Sequence, residues 1–212
     1  LLAAYASHGD TKHVLLFPED PYEAFEFGAL SFDLADRLQT PVFVMLDLDI
    51  GSNHRLCKPL AWDNNRKYDR GKVMTYDELE AGKEFGRYLD VDGDGITYRT
   101  YPGTHPKRGV YFTRGTTKDA YARYTELGKP YIENMERLLR KFDTAKSLVP
   151  APVRKDSSKQ AAAGVVYYGS TGPSMTEALE QLEADGIHVN AMRLRGFPFA
   201  KELDDFVAEH ET

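Results

Sequence analysis

The hydrophobic pattern between residues 14 and 51 predicts a strand, a helix and a second strand. An apolar run over residues 14–17 ends at turn-forming residues, and another covers residues 42–46. Between Tyr22 and Leu38 apolar side chains recur at helical spacing and leave one narrow polar stripe, so this helix should be buried on most sides. Both apolar runs are continuous, which is typical of parallel strands covered by helices. The segment therefore predicts an α/β domain with a parallel sheet.

The start of the predicted helix carries specific signals. Asp20 can cap the first free N–H groups, and Pro21 suits the first helical position. Glu23 is placed to complete a capping box, where its charge also opposes the helix dipole.

The rest of the chain divides into an irregular region, a linker and a second unit. The predicted domains are residues 1–143, a linker at 144–163 rich in Pro, Lys and Ser, and residues 164–212. The first residues resemble the tail of a helix, so the chain is expected to begin within a domain, and the second domain is expected to be incomplete. Further predicted elements are a short helix near 75–85, a strand at 110–113, a helix around 131–142, strands at 164–168 and 188–192, a helix opened by a capping box at Ser174–Glu177 and closed by Gly186, and a helix at 200–209.

Composition narrows the class of protein. The chain has 212 residues and a formal net charge of −6, without the basic clusters that nucleic-acid binding needs. We find no apolar run of membrane-spanning length. The single Cys57 excludes an internal disulfide and an all-cysteine iron–sulfur site within the chain. We therefore predict a cytoplasmic protein without a nucleic-acid or membrane partner.

Two pairs of residues are candidates for chemistry in the first domain. Asp47 and Asp49 follow a predicted parallel strand at its carboxyl end, the edge where open α/β sheets bind ligands. Turn chemistry alone also explains acidic residues at strand ends. His8 and Asp10 are the other candidates, although a His beside a glycine is also typical of a helix terminus.

Two further sets complete the candidates. Gly169, Ser170 and Thr171 lie between a strand and a helix, where N–H groups could hold a phosphate, although every such connection needs a tight turn. Trp62, Arg66 and Tyr68 have the mixed aromatic and basic composition of a subunit contact, with a solvated loop as the alternative.

Residues 90–95 match the first half of an EF-hand loop. The second half is missing, since position twelve is Tyr101 in place of a bidentate Glu. We therefore predict a turn and no metal site.

Five segments of the chain match one known family: 7–10 (SHGD), 17–25 (FPEDPYEAF), 40–42 (TPV), 90–104 (DVDGDGITYRTYPGT) and 168–172 (YGSTG). Together they resemble the alpha subunit of the 2-oxoacid:acceptor oxidoreductases, most closely the 2-oxoglutarate:ferredoxin type. The resemblance covers nearly the whole chain. Residues 116–121 depart from the acidic, His-containing stretch of that family, so no metal or substrate role is carried over there.

The resemblance implies a fold and an activity. Residues 1–143 would form the later part of a thiamine-diphosphate-enzyme pyrimidine-type domain, and residues from 164 the start of a transketolase C-terminal-like α/β domain. The family converts a 2-oxoacid, here 2-oxoglutarate by preference over pyruvate, and coenzyme A to an acyl-CoA, passing electrons to ferredoxin. A beta subunit would supply the thiamine diphosphate and Mg²⁺ site and an iron–sulfur cluster. The family's catalytic motifs would precede Leu1, so no catalytic residue is identifiable and the chain alone is expected to be inactive.

A second class of function is compatible with the same pattern. The chain could be a non-catalytic α/β binding or dimerisation module, because no residue within it carries the family's chemistry.

Overall fold

The protein is α/β, as predicted, and its strands form two small mixed sheets. The computed structural model describes residues 1–6, 11–113 and 115–210. The first sheet has the order β2-β1-β6, with β1 parallel to β2 and antiparallel to β6. Its strands are β1 (Val14–Leu16), β2 (Val42–Val44) and β6 (Gly196–Phe197).

The predicted strand–helix–strand unit is present. Helix α1 (Pro21–Leu38) connects β1 to β2, and the Asp20 carboxylate accepts a hydrogen bond from the Glu23 N–H at 2.7 Å. The predicted capping box is wrong, because the Glu23 carboxylate accepts from the Glu19 N–H and not from that of Asp20. The helix is also less covered than expected, since Phe32 is 70% exposed.

The second sheet has the order β3-β5-β4, with β4 and β5 parallel and β3 antiparallel to β5. A strand therefore lies within the predicted linker, while the division into domains stays a prediction. Each sheet contains the predicted parallel pair and one additional short antiparallel strand, β6 in the first sheet and β3 in the second. The elements of this unit are β3 (Val153–Lys155), β4 (Ala163–Tyr168), α5 (Thr171–Ala184), β5 (Val189–Leu194) and α6 (Lys201–Ala208).

Helix α5 begins earlier than the sequence predicts. Its N-cap is Ser170, so Ser174 lies inside the helix and the predicted capping box there is wrong. Gly186, with φ of 78°, follows the end of the helix as predicted.

The middle region contains the helices α2 (Leu48–Ser52), α3 (Tyr76–Glu80) and α4 (Gly128–Ala145). Near the start of the chain, Ala3–Tyr5 forms a 3-10 turn. Thr75 and Glu78 form a capping box at the start of α3. Residues 110–113 form no strand, because Val110 and Phe112 are exposed and pair with no other strand in the described residues.

The main core joins the first sheet to the middle region. Apolar side chains of β1, α1 and α4 pack together with Ile96 and Val149. The turn at residues 90–95 is docked on α4, where Asp94 O accepts from Thr144 Oγ1 at 2.7 Å. In the described part of the chain, no helix has the length and apolarity to cross a membrane.

Candidate functional site

The carboxyl ends of strands from both sheets meet at one place. Asp47 follows β2 and caps α2, accepting from the Ile50 N–H at 3.0 Å. Its second carboxylate oxygen accepts from the Ser170 N–H at 3.2 Å, although the two residues are 123 positions apart. The structure therefore joins Asp47 to the loop at 169–171, two candidates that the sequence could only propose separately.

The loop after β4 has little freedom to change. Gly169 has φ of 66°, and a Cβ there would lie 3.3 Å from Asp47 Oδ2. Tyr168 is the last residue of β4, and Phe17 directly follows β1. Their ring centroids lie 5.2 Å apart. Thr171 is exposed beside them as the first residue of α5.

Behind this loop lies a buried ionic network that links the two units. Arg193 on β5 binds Glu23 on α1 through two hydrogen bonds, at 2.7 and 3.2 Å. Arg195 Nε donates to the same carboxylate at 2.8 Å, and Arg193 Nε lies 3.2 Å from Glu19 Oε2. Glu19 in turn packs directly against Gly172 at the start of α5.

The network shifts the pKa values of Glu19 and Glu23 in opposite directions. Burial raises the pKa of Glu19, and the neighbouring charges of Glu23 and Asp20 oppose the lowering effect of Arg193. Burial acts on Glu23 in the same direction, but hydrogen bonds from Arg193, the Glu19 N–H and Arg195 hold the pKa of Glu23 below its usual range.

The pKa of Asp47 is lowered, whereas that of Glu19 is raised. Hydrogen bonds from the Ser170 side chain, the Ile50 N–H and the Ser170 N–H keep the pKa of Asp47 low. Asp47 is thus suited to accept hydrogen bonds as a carboxylate, whereas Glu19 is the carboxyl group near the loop that can more readily carry a proton.

The remaining candidates lie elsewhere. Asp49 is exposed on α2, where it accepts from Asn53 and Arg55 at 2.9 and 3.3 Å. His8 and Asp10 fall outside the described residues.

The candidate contact residues form an aromatic surface beside α1. Trp62 is 51% exposed and packs edge-on against Phe25, with ring centroids 6.0 Å apart. Arg66 pairs with Asp33 at 2.7 Å and stacks near Tyr68. Trp62 and Arg66 line a cleft of about 440 Å³.

The acidic turn at residues 90–95 is held by a lysine. Lys72 Nζ lies 2.6 Å from an Asp92 carboxylate oxygen and 2.8 Å from one of Asp94. A calcium ion bound by this turn would need these carboxylates as ligands. Within the described ranges, no group of three or more His, Cys, Asp or Glu side chains could hold a metal ion.

Sequence reasoning missed Glu19, Arg193 and Arg195 as parts of the site. The available signal was Arg193 itself, because a charged residue in a mostly apolar strand needs a buried partner. The identity of that partner, 170 residues away, was not readable from the sequence.

No protein-family model matches the chain. Its fold matches that of the solved 2-oxoglutarate:ferredoxin oxidoreductase from Magnetococcus marinus with 2-oxoglutarate, coenzyme A and succinyl-CoA bound. The TM-score is 0.79 at 21% sequence identity, and the match covers 100% of this chain and 36% of that chain. The fold is thus one found in a 2-oxoacid oxidoreductase.

Sequence relatives agree with that match. The chain is 26% identical to the 2-oxoacid:ferredoxin oxidoreductase subunit alpha of Saccharolobus solfataricus, covering 96% of this chain and 32% of that protein. It is 26% identical to the 2-oxoglutarate synthase subunit KorA of Methanocaldococcus jannaschii, covering 94% of this chain and 50% of that protein. The predicted resemblance to the alpha subunit is therefore confirmed, and the chain spans a third to a half of the length of these relatives.

Proposed function

We propose that the chain forms part of the alpha subunit of a 2-oxoacid:ferredoxin oxidoreductase. The reaction would be the oxidative decarboxylation of a 2-oxoacid, with coenzyme A, to an acyl-CoA, and the electrons would pass to ferredoxin. The observation that carries the proposal is the similarity to alpha subunits along 96% of the chain, together with a fold match over its full length. The relative named 2-oxoglutarate synthase supports 2-oxoglutarate as the substrate.

The cluster at the strand ends is the part of the chain that we place at the reaction cleft. Its support is geometric: Asp47, the loop at 169–171 and Glu19 converge at the carboxyl edge of both sheets, where α/β proteins bind ligands. Asp47 fixes the loop through the Ser170 N–H. We therefore assign Asp47 a positioning role, in which it sets the backbone of a loop that forms one wall of the cleft.

The cofactors belong, on this proposal, mainly to the partner subunit. Thiamine diphosphate would supply the carbon–carbon bond cleavage, but the described residues offer no acidic cluster for its Mg²⁺. The described residues do not fit the diphosphate and metal, and the one cysteine of the sequence, Cys57, cannot hold a cluster. A beta subunit would provide both.

The aromatic surface at Trp62 is the proposed contact with that beta subunit. Exposed aromatic and arginine side chains are enriched at such contacts. Leu56 and Leu60 are also exposed in the preceding irregular segment, at 104% and 54%. An apolar surface of this kind favours burial against a partner.

The test is an assay of the alpha subunit that contains this sequence, co-purified with its beta subunit without oxygen. We expect viologen dye reduction that requires 2-oxoglutarate, coenzyme A and thiamine diphosphate. Asp47→Asn should lower kcat/KM by about tenfold, because it weakens the bond that positions the loop. Asp49→Asn is the matched control and should stay within about twofold, since the side chain of Asp49 is exposed and its contacts are with Asn53 and Arg55 of its own segment.

The opposite outcome is also informative. A cluster-loaded complex that is inert towards 2-oxoglutarate, pyruvate and branched 2-oxoacids would refute the oxidoreductase assignment. The non-catalytic binding or dimerisation module would then replace it. Equal activities of the Asp47 and Asp49 variants would refute only the positioning role.

A further inference from the structure

A groove beside α4 is lined by two buried cations and, among the described residues, by no acidic side chain. The groove has a volume of about 380 Å³ and lies between α4 and the segment at 115–118. Lys118 and Arg137 contribute to its lining and are only 5% and 9% exposed. We call it the cationic groove; its other lining residues include Tyr88, Thr116, Thr117 and Asn134.

Neither cation forms an ion pair with a carboxylate in the described part of the chain, although the charge of Asp90 acts on Arg137 without a direct contact. Lys118 Nζ donates to the carbonyl and hydroxyl oxygens of Thr116 and lies 5.5 Å from the centre of the Tyr124 ring. Arg137 donates to Gly95 O at 3.0 Å and makes two longer contacts, of 3.5 Å, to Asn134 Oδ1. Buried charges in proteins are normally paired, so two unpaired ones beside the same groove require an explanation.

Asn134 holds the two cations in one arrangement. Its Nδ2 donates to Lys118 O at 2.6 Å, while its Oδ1 faces the Arg137 guanidinium. Burial and the nearby charge of Arg87 lower the pKa of Arg137, and the opposing charge of Asp90 offsets this lowering only in part. An anion in the groove would offset this cost.

We propose that the cationic groove binds a phosphate group, either as free phosphate or as part of a phosphate monoester. Two adjacent cations match a phosphate, which carries about −1.5 to −2 charges at neutral pH, better than a carboxylate with a single charge. The hydroxyl groups of Thr116 and Thr117 add further donors at the same wall. Tyr88, Met135 and Leu138 give the groove an apolar part that suits the organic portion of a monoester. This site is separate from the proposed oxidoreductase function and does not depend on it.

The test is calorimetric titration of the chain with inorganic phosphate, AMP, adenosine and succinate. We expect saturable binding of phosphate or AMP at about millimolar Kd or tighter, and none of adenosine. Tighter binding of AMP than of phosphate would assign the site to a monoester, and equal binding would assign it to free phosphate. Both results support the proposal.

Variants localise the binding. Lys118→Gln should weaken phosphate binding about tenfold or more, because a hydrogen bond to a charged group is lost. Arg137→Lys keeps a charge and should retain more affinity than Arg137→Gln. Lys129→Gln on the same helix is the matched control and should bind as the wild type does, since its side chain is 88% exposed and does not line the groove.

Three results would overturn the proposal. These are no saturable heat with phosphate or AMP up to about 10 mM, unchanged affinity in a folded Lys118→Gln variant, and succinate binding as tight as that of phosphate. Thermal unfolding of each variant separates loss of binding from loss of structure, because Arg137 also anchors Gly95.

Discussion

Replacement of Glu23 by Gln should destabilise the protein strongly. Glu23 and Arg193 have side chains only 9% and 7% exposed, and Glu23 accepts hydrogen bonds from both Arg193 and Arg195. A glutamine side chain keeps the shape but leaves two arginines without their shared negative charge. Removal of one partner from a buried pair costs about 3–5 kcal/mol.

The assay is urea and thermal unfolding followed by far-ultraviolet circular dichroism. A loss of about 3 kcal/mol corresponds to a Tm lower by about 6–12 °C for a chain of this size. The control is Asp205→Asn, which breaks an exposed pair with Lys201 on α6 and should change stability by less than about 0.5 kcal/mol.

The effect should depend on pH in a defined direction. Burial alone would raise the pKa of Glu23, but the bonds from Arg193 and Arg195 lower it below its usual value. A carboxylate with a lowered pKa stabilises the folded state above the pKa of the unfolded chain and loses that contribution as pH falls. The difference between wild type and variant should therefore be full at pH 7 and shrink below about pH 4.3.

A double substitution tests the reasoning further. The variant that combines Glu23→Leu with Arg193→Met should lose less stability than the sum of the two single variants. Each single variant leaves the charge of its partner unpaired, whereas the double variant removes both charges of the pair. Strict additivity, or a Glu23→Gln variant as stable as the wild type, would refute the role given to this network.

Three further predictions concern stability and domain division. In chemical unfolding, Gly95→Ala should lower the free energy of unfolding by about 2–4 kcal/mol and Gly93→Ala by only about 1 kcal/mol. Both glycines have positive φ, but a Cβ at Gly95 would lie 2.5 Å from Arg137 O. Equal losses would contradict the close packing of this turn. Burial lowers the pKa of Lys141 to about 8. The wild type should therefore gain stability as pH rises from about 8 to about 10.4, and Lys141→Met should lack that gain. Parallel pH profiles of stability for the two proteins would contradict this. Limited trypsin digestion should cut first at exposed Lys159, before Arg154 and Lys155 in β3, and faster cleavage ahead of residue 143 would argue against the predicted domains.

Local signals account for what the sequence predicted correctly. Asp20 and Pro21 define the start of α1 because capping depends on residues within one turn. The two parallel strand pairs followed from apolar runs separated by helices. Where local signals competed, as at Ser174, the loop before the helix provided an earlier start and the capping box was not used.

The sequence alone determined the α/β class, the positions of the long helices and the family resemblance, because each depends on short-range pattern or on contiguous motifs. Only the tertiary structure decided that Asp47 meets Ser170, that Glu23 pairs with Arg193, and that Lys72 occupies the acidic turn. These contacts join residues distant in the chain, and their pairing depends on how the two sheets pack. Periodicity and spacing carry no information about that packing, so the candidate site could be proposed in parts but not assembled from the sequence.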